Sequence, residues 1–279
     1  MTPSVDLIKA MVNNSTRGDL VRNLHAAIDR NEEKTVELTL ELMADNEQSK
    51  LILGKAYMHG KGAKKHPATA RRLLEQLAVK GNAKAQLSLA EGILDGSLPP
   101  QQENESFYWH GKAAQGGSHQ AQYRLGMLYA EGELVQQNHR LANIWWKKSA
   151  AQGNTDAQFA LANQFYFGVG VEKCEATSKQ LFYKAAIGGH TEAQLALGKM
   201  YREEPDIKDS ALLAEHFLSL AANNSLEAKV ALGSLYVNEL RASKHSSDKA
   251  MRWLFEAVKG NSIEAAELLV TLTTINSTN

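Results

Sequence analysis

The sequence predicts an all-α solenoid, a stack of antiparallel helix pairs, on three observations. The phrase Ala-Gln-x-x-Leu-small begins at Ala85-Gln86, Ala121-Gln122, Ala157-Gln158 and Ala193-Gln194, each copy 36 residues after the last. Three residues beyond the small residue of each unit stands a large one: Tyr57, Ile93, Tyr129, Phe165, Tyr201 and Tyr236. Glycine-bearing turns then follow at Gly60, Gly96, Gly132 and Gly168. Self-similarity at one fixed period marks a repeat architecture, in which each unit buries its apolar face only against its neighbours.

Within a unit, Ala85, Leu89 and Ile93 stand four residues apart, one stripe of a helix. The small residue beside the leucine (Gly54, Ala90, Gly126, Ala162, Gly198, Gly233) allows a second helix to come close. That second helix carries small and large anchors, as in Ser106-Trp109-Ala113-Ala114 and Ala142-Trp145-Ser149-Ala150, then Leu181, Phe217 and Trp253 in later units. Trp109, Trp145 and Trp253 are expected in the core, and Trp146, beside an anchor, is expected to pack as well. A further glycine (Gly81, Gly117, Gly153, Gly189) closes each pair, since glycine takes the left-handed conformation of a helix end freely. His190 stands where Asn82, Ser118 and Asn154 stand in sister units, so it reads as a helix cap.

The period holds at 36 residues from Leu53 to Gly198, then the Leu-small pair arrives after 35 residues at Leu232-Gly233 and after 37 at Leu269-Val270. Glu203-Glu204-Pro205 and Asn238-Glu239-Leu240 replace the glycine turns of the later units. Residues 1–45 read as a divergent cap of three helices, 46–261 as about six repeats, and 262–279 as a closing helix with a polar tail.

The stretches GNTDAQFALANQFYFGVGV (153–171) and ANIWWKKSAAQG (142–153) resemble the Sel-one-like repeat family, a relative of the tetratricopeptide repeats. The resemblance runs over about residues 46–272. It implies a right-handed superhelix whose first helices line a concave face, and an adaptor or scaffold role in a bacterial cell. It also implies that the concave face is read one, four and five places after the small residue. The partner-facing candidates are then Glu91, Met127, Asn163 and Lys199 in the first row, Tyr166 and Arg202 in the second, and Glu131 and Phe167 in the third. Met127, Asn163 and Tyr166 form the centre of this expectation, because aromatics and methionine anchor interfaces and an amide holds a peptide backbone. Tyr166 is favoured over Phe167, the competing reading being that both pack under the Gly168 turn. Leu51, Leu87, Tyr123, Phe159, Leu195 and Val230 make a further apolar row, expected in the core.

Other function classes find little support. Basic and acidic residues balance at 31 each, giving no electrostatic footprint for nucleic acid. One cysteine, Cys174, allows neither a disulfide framework nor a thiolate metal cluster. No P-loop, nucleophile elbow or zinc-protease motif occurs, and Gly168-Val169-Gly170 belongs to the repeat turn. Lys61, Lys64, Lys65, His66, Arg71 and Arg72 form one basic cluster, expected to be a solvated loop. The opening segment carries Asp6 and Lys9 among its apolar residues, so a cytoplasmic location without membrane insertion is expected. The chain therefore reads as a non-enzymatic adaptor without cofactor or metal that binds a protein or peptide. The alternative is an immunity-type inhibitor capping a toxin or enzyme.

Overall fold

A computed structural model describes residues 47–61, 64–204, 209–239 and 244–278, so the three cap helices expected in 1–45 lie outside the described residues. Thirteen helices and no strand occur among the described residues, an all-α repeat fold. They are α1 (Glu47–His59), α2 (Pro67–Val79), α3 (Ala83–Leu94), α4 (Glu105–Gln115), α5 (His119–Glu131), α6 (His139–Ala151), α7 (Thr155–Phe167), α8 (Glu175–Ile187), α9 (Thr191–Glu203), α10 (Ser210–Ala222), α11 (Leu226–Glu239), α12 (Lys244–Lys259) and α13 (Ile263–Thr278). The chain divides within α6 into two compact units, Met1–Trp145 and Trp146–Asn279.

Three helix pairs are closed by contact between a glycine of the first helix and a leucine of the second. In the first unit a Cβ added at Gly54 would lie 2.8 Å from Leu74 Cγ. In the second unit a Cβ at Gly198 would lie 2.5 Å from Leu218 Cγ, and one at Gly233 would collide with Leu254. The deepest row of the second helices is accordingly Leu74, His110, Trp146, Phe182, Leu218 and Leu254, all buried. This row stands one residue beyond the tryptophan anchors. Trp109, Trp145 and Trp253 are only partly buried and pack against the edges of the apolar clusters. Leu51, Leu87, Leu195 and Val230 are buried as expected, while Tyr123 and Phe159 are partly exposed.

Successive pairs are joined by a short turn that serves two helices at once. Gly117 (φ 89°) takes the left-handed conformation after α4 and donates its N–H to the Ala114 carbonyl at 3.2 Å. Ser118 donates to the Ala113 carbonyl at 3.1 Å, and its hydroxyl accepts from the Ala121 N–H to cap α5. This is a Schellman closure whose last residue is already the next N-cap. The glutamine of the repeated phrase locks it, since Gln122 Nε2 donates to the same Ala114 carbonyl at 3.1 Å. Gln86, Gln158 and Gln194 do likewise to Ala78, Ala150 and Ala186 at 2.9, 3.2 and 3.0 Å. Both lone pairs of a carbonyl in the last helical turn are thus filled. His190 takes the cap role through Nδ1, which accepts from the Ala193 N–H at 3.3 Å.

The slip to 35 residues has a local cause. After α10 the chain reaches its cap, Ser225, without a left-handed residue, and both Asn224 and Ser225 donate to Ala221. The turn is one residue shorter, and Lys229 stands where the glutamine stood. Before α13 the left-handed position returns, filled by Asn261 (φ 65°), the residue that tolerates it best after glycine.

Two polar residues depart from what their positions suggest. Arg71, expected on a solvated basic loop, is buried and pairs with Glu75 and Glu105 while donating to the Pro99 carbonyl. Burial pushes the Glu105 carboxyl up, but hydrogen bonds from the Gln101 N–H, Arg71 and Trp109 outweigh it and hold the pKa below the usual range. His110 occupies an otherwise apolar row with no exposure; its Nδ1–H donates to the Ser106 carbonyl at 2.9 Å and its Nε2 has no partner. Burial, with a small contribution from Arg124, lowers its pKa to about 4.

Two outcomes follow for stability. Gly198→Val is expected to lower it by about 2 kcal/mol, because Leu218 must leave its rotamer to admit the new atoms. An unchanged urea midpoint would remove the close contact from its place in the fold. His110 is neutral in the folded chain down to about pH 4, whereas an unfolded histidine protonates near pH 6.5. Its contribution is therefore complete above about pH 6.5 and is lost as pH falls toward 4, about 3 kcal/mol in all. His110→Leu, matching Leu74 and Leu218, is expected to flatten the stability profile over that interval by this amount, read from urea melts at each pH.

Candidate partner-binding site

The repeat geometry fixes which side chains of the first helices are used for packing and which are left over. The capped start, the glutamine and the small residue all point toward the neighbouring helices. The positions one, four and five places after the small residue are the ones the resemblance marks as partner-facing.

In the first unit, Glu91 on α3 and Glu131 at the end of α5 are exposed, and Met127 on α5 is half-buried. Neither glutamate forms an ion pair among the described residues. Met58, in the same register on α1, is buried in the apolar cluster with Leu74 and Leu89, so this position does not always face outward.

In the second unit, Asn163, Tyr166 and Phe167 lie on α7, and Lys199 and Arg202 on α9. Tyr166 is half-buried and packs against the cluster of Phe182, Leu197, Met200 and Phe217. Lys173 Nζ, from the turn after α7, lies 5.8 Å from its ring centre. That turn folds back on the helix end, with Val169 donating to Gln164 at 3.0 Å and Cys174 to Phe165 at 2.9 Å. Phe167 escapes it. Its ring stands edge-on to Tyr166 with centroids 5.0 Å apart, and the residue is 68% exposed. Of the two aromatics, the cluster behind α7 holds Tyr166 and Phe167 is the one left to solvent. The cause is the helical angle. The residue four places past Ala162 points back toward α8, and the fifth turns about 100° further round. Asn163 is half-buried with its amide uncommitted, Arg202 has no ion pair among the described residues, and Lys199 pairs with Glu227.

A second feature had no warning in the sequence. A cleft of about 450 Å³ in the second unit is lined by Ala176, Lys179, Gln180, Tyr183 and Lys184 of α8 and Tyr201 of α9. The available signal was Tyr183, in a register where sister units have Glu75, Gly111, Lys147, Ser219 and Phe255. Among the described residues no group of histidine, cysteine, aspartate or glutamate side chains is placed to hold a metal ion. No described helix is long and apolar enough to cross a membrane.

The model of the Sel1 repeat matches residues 49–82, 83–118, 119–154, 155–190, 191–226 and 226–262. Among solved structures, a protective antigen of uropathogenic Escherichia coli displaying an SLR fold superposes with a TM-score of 0.77 at 24% identity. That alignment covers 93% of this chain and 57% of the antigen, so the chain spans little more than half of that relative. A Sel1 repeat protein from Oxalobacter formigenes gives a TM-score of 0.72 at 24% identity, covering 96% of this chain and 85% of its own. These likenesses show the fold alone. An immunity protein of Pseudomonas aeruginosa reaches 0.47 at 18% identity over 74% of this chain and 81% of its own, too distant to bear on function. No curated protein matches in sequence.

Proposed function

Since the chain belongs to the Sel1 repeat family, whose members generally mediate protein–protein interaction, we propose that it is a non-enzymatic adaptor of the bacterial cytoplasm. It binds a protein or peptide through the positions its first helices leave free, taken as a concave face. The observation that carries this reading is Phe167, a large aromatic held 68% exposed beside an ordered tyrosine and an uncommitted amide.

An exposed phenylalanine gains from being covered, about 1.5–3 kcal/mol for full burial. Tyr166 is already fixed by the cluster behind it, so little side-chain freedom is lost when a partner docks on the pair. Asn163 offers both a donor and an acceptor to an extended backbone. Arg202 and Lys199, on α9 of the same unit, supply the charge that selects among partners, and Glu91, Met127 and Glu131 are the corresponding partner-facing positions of the first unit taken by itself.

The test is quantitative affinity purification with wild type, Phe167→Ala, Asn163→Ala and a control, Tyr108→Ala, which removes an exposed aromatic from a second helix. Loss of the same partner from the first two variants, and its retention by the control, is the expected result. Recovery of identical partners in equal amounts from all four would exclude Phe167 and Asn163 from any interface.

A further inference from the structure

The second helices carry a site of different character. At the α2–α4 contact, Arg71 faces Glu105; at the α10–α12 contact, Glu215 faces Lys249 at 3.1 Å. These are the same two repeat positions with their signs exchanged. At the α8–α10 contact the positions hold Lys179 and Leu213, so the lysine has no acid opposite it. Lys179 turns instead to Glu204, and its Nζ rests 4.3 Å from the Tyr201 ring centre.

The cleft lies beside this lysine, and among the described residues its lining includes Lys179 (paired with Glu204), Lys184 and no acid. Its aromatic walls are set from behind by the buried Phe217. Tyr201 stacks parallel to that ring at 5.9 Å, and Tyr183 meets it edge-on at 5.9 Å. Lys184, Gln180 and both tyrosine hydroxyls have no protein partner among the described residues. A small apolar hollow with fixed rings and several free donors has the general form of a ligand site. With Lys184 on its rim, and Lys179 already neutralised by Glu204, it complements a single negative charge carried on an apolar body.

We propose that this cleft binds an acidic segment of a partner polypeptide, a glutamate or aspartate flanked by an aromatic residue. The carboxylate meets Lys184 and the tyrosine hydroxyls, and the neighbouring ring lies against Tyr183. The site uses none of Asn163, Tyr166 or Phe167, so it stands or fails independently of the interface on the first helices.

Calorimetric titration of the full chain with acetyl-Phe-Glu-Phe-amide tests it, beside acetyl-Phe-Gln-Phe-amide and 3-phenylpropionate. Saturable binding of the glutamate peptide, about tenfold tighter than the glutamine peptide, is expected. Lys184→Gln, an exposed position that leaves the fold intact, is expected to weaken it about threefold, and Phe167→Ala to leave it unchanged. Absence of saturable heat, equal binding of the two peptides, or indifference to Lys184→Gln overturns the proposal. Binding of 3-phenylpropionate as tightly as the glutamate peptide overturns the polypeptide as the source and assigns the cleft to free carboxylates.

Discussion

The close approach of two helices at one small residue is the constraint from which the rest of this structure is built. Where Gly54 meets Leu74, or Gly198 meets Leu218, there is no room for a methyl group. The large residue of the second helix therefore reaches the backbone of the first, and dispersion contacts that a longer side chain would forfeit are made. Once the pair is closed at this distance, the end of the second helix arrives where the next first helix must begin. The Schellman turn and the glutamine then join them with almost no connecting chain. The phrase that recurs every 36 residues is a record of these contacts: alanine and leucine for the stripe, glutamine for the carbonyl, glycine or alanine for the approach.

That explains why the fold was legible and the candidate site was not. Repeated positions are repeated because each copy meets the same neighbour, so periodicity exposes packing directly. A partner-facing position meets something outside the chain, and nothing within the sequence repeats to reveal it. The tryptophans show how a small angular error matters. Trp109 and Trp145 look like anchors, but the deep row is one residue later, and it includes a histidine in place of a leucine. Tyr166 and Phe167 show the same sensitivity on a first helix, where about 100° of rotation separates a ring held by the apolar cluster from one left in solvent. The 35-residue slip could be counted in the sequence, yet its cause, a turn without a left-handed residue, needed the backbone.

Loss of the glutamine toward the C-terminal end is not a simple decay of the pattern. Lys229 and Ala266 stand where it would be, and the carbonyls it would have reached lose that donor. In the same region Tyr236 and Lys249 converge on Glu215, and an apolar cluster runs through α10, α11, α12 and α13. Side-chain contact between second helices replaces a backbone latch between pairs. The Arg71–Glu105 pair joins α2 to α4 near the other end, where Arg71 also donates to the Pro99 carbonyl of the segment leading into α4.

The contacts between second helices therefore carry the information that distinguishes one repeat from another. An ion pair, whether buried like Arg71–Glu105 or partly exposed like Glu215–Lys249, adds little net stability, since desolvation or solvent screening offsets most of the attraction. What it does supply is discrimination, because a charge facing the wrong neighbour is left uncompensated. Arg71 opposite Glu105 and Glu215 opposite Lys249 have opposite polarity, so neither lysine nor arginine would find an acid if the two contacts exchanged partners. At Lys179 opposite Leu213 the register holds no such pair, and an open cleft lies beside it whose Lys184 has no ion pair among the described residues. Side chains at this contact that the packing of α8 on α10 does not consume are the ones left to meet a partner of the kind proposed for the cleft.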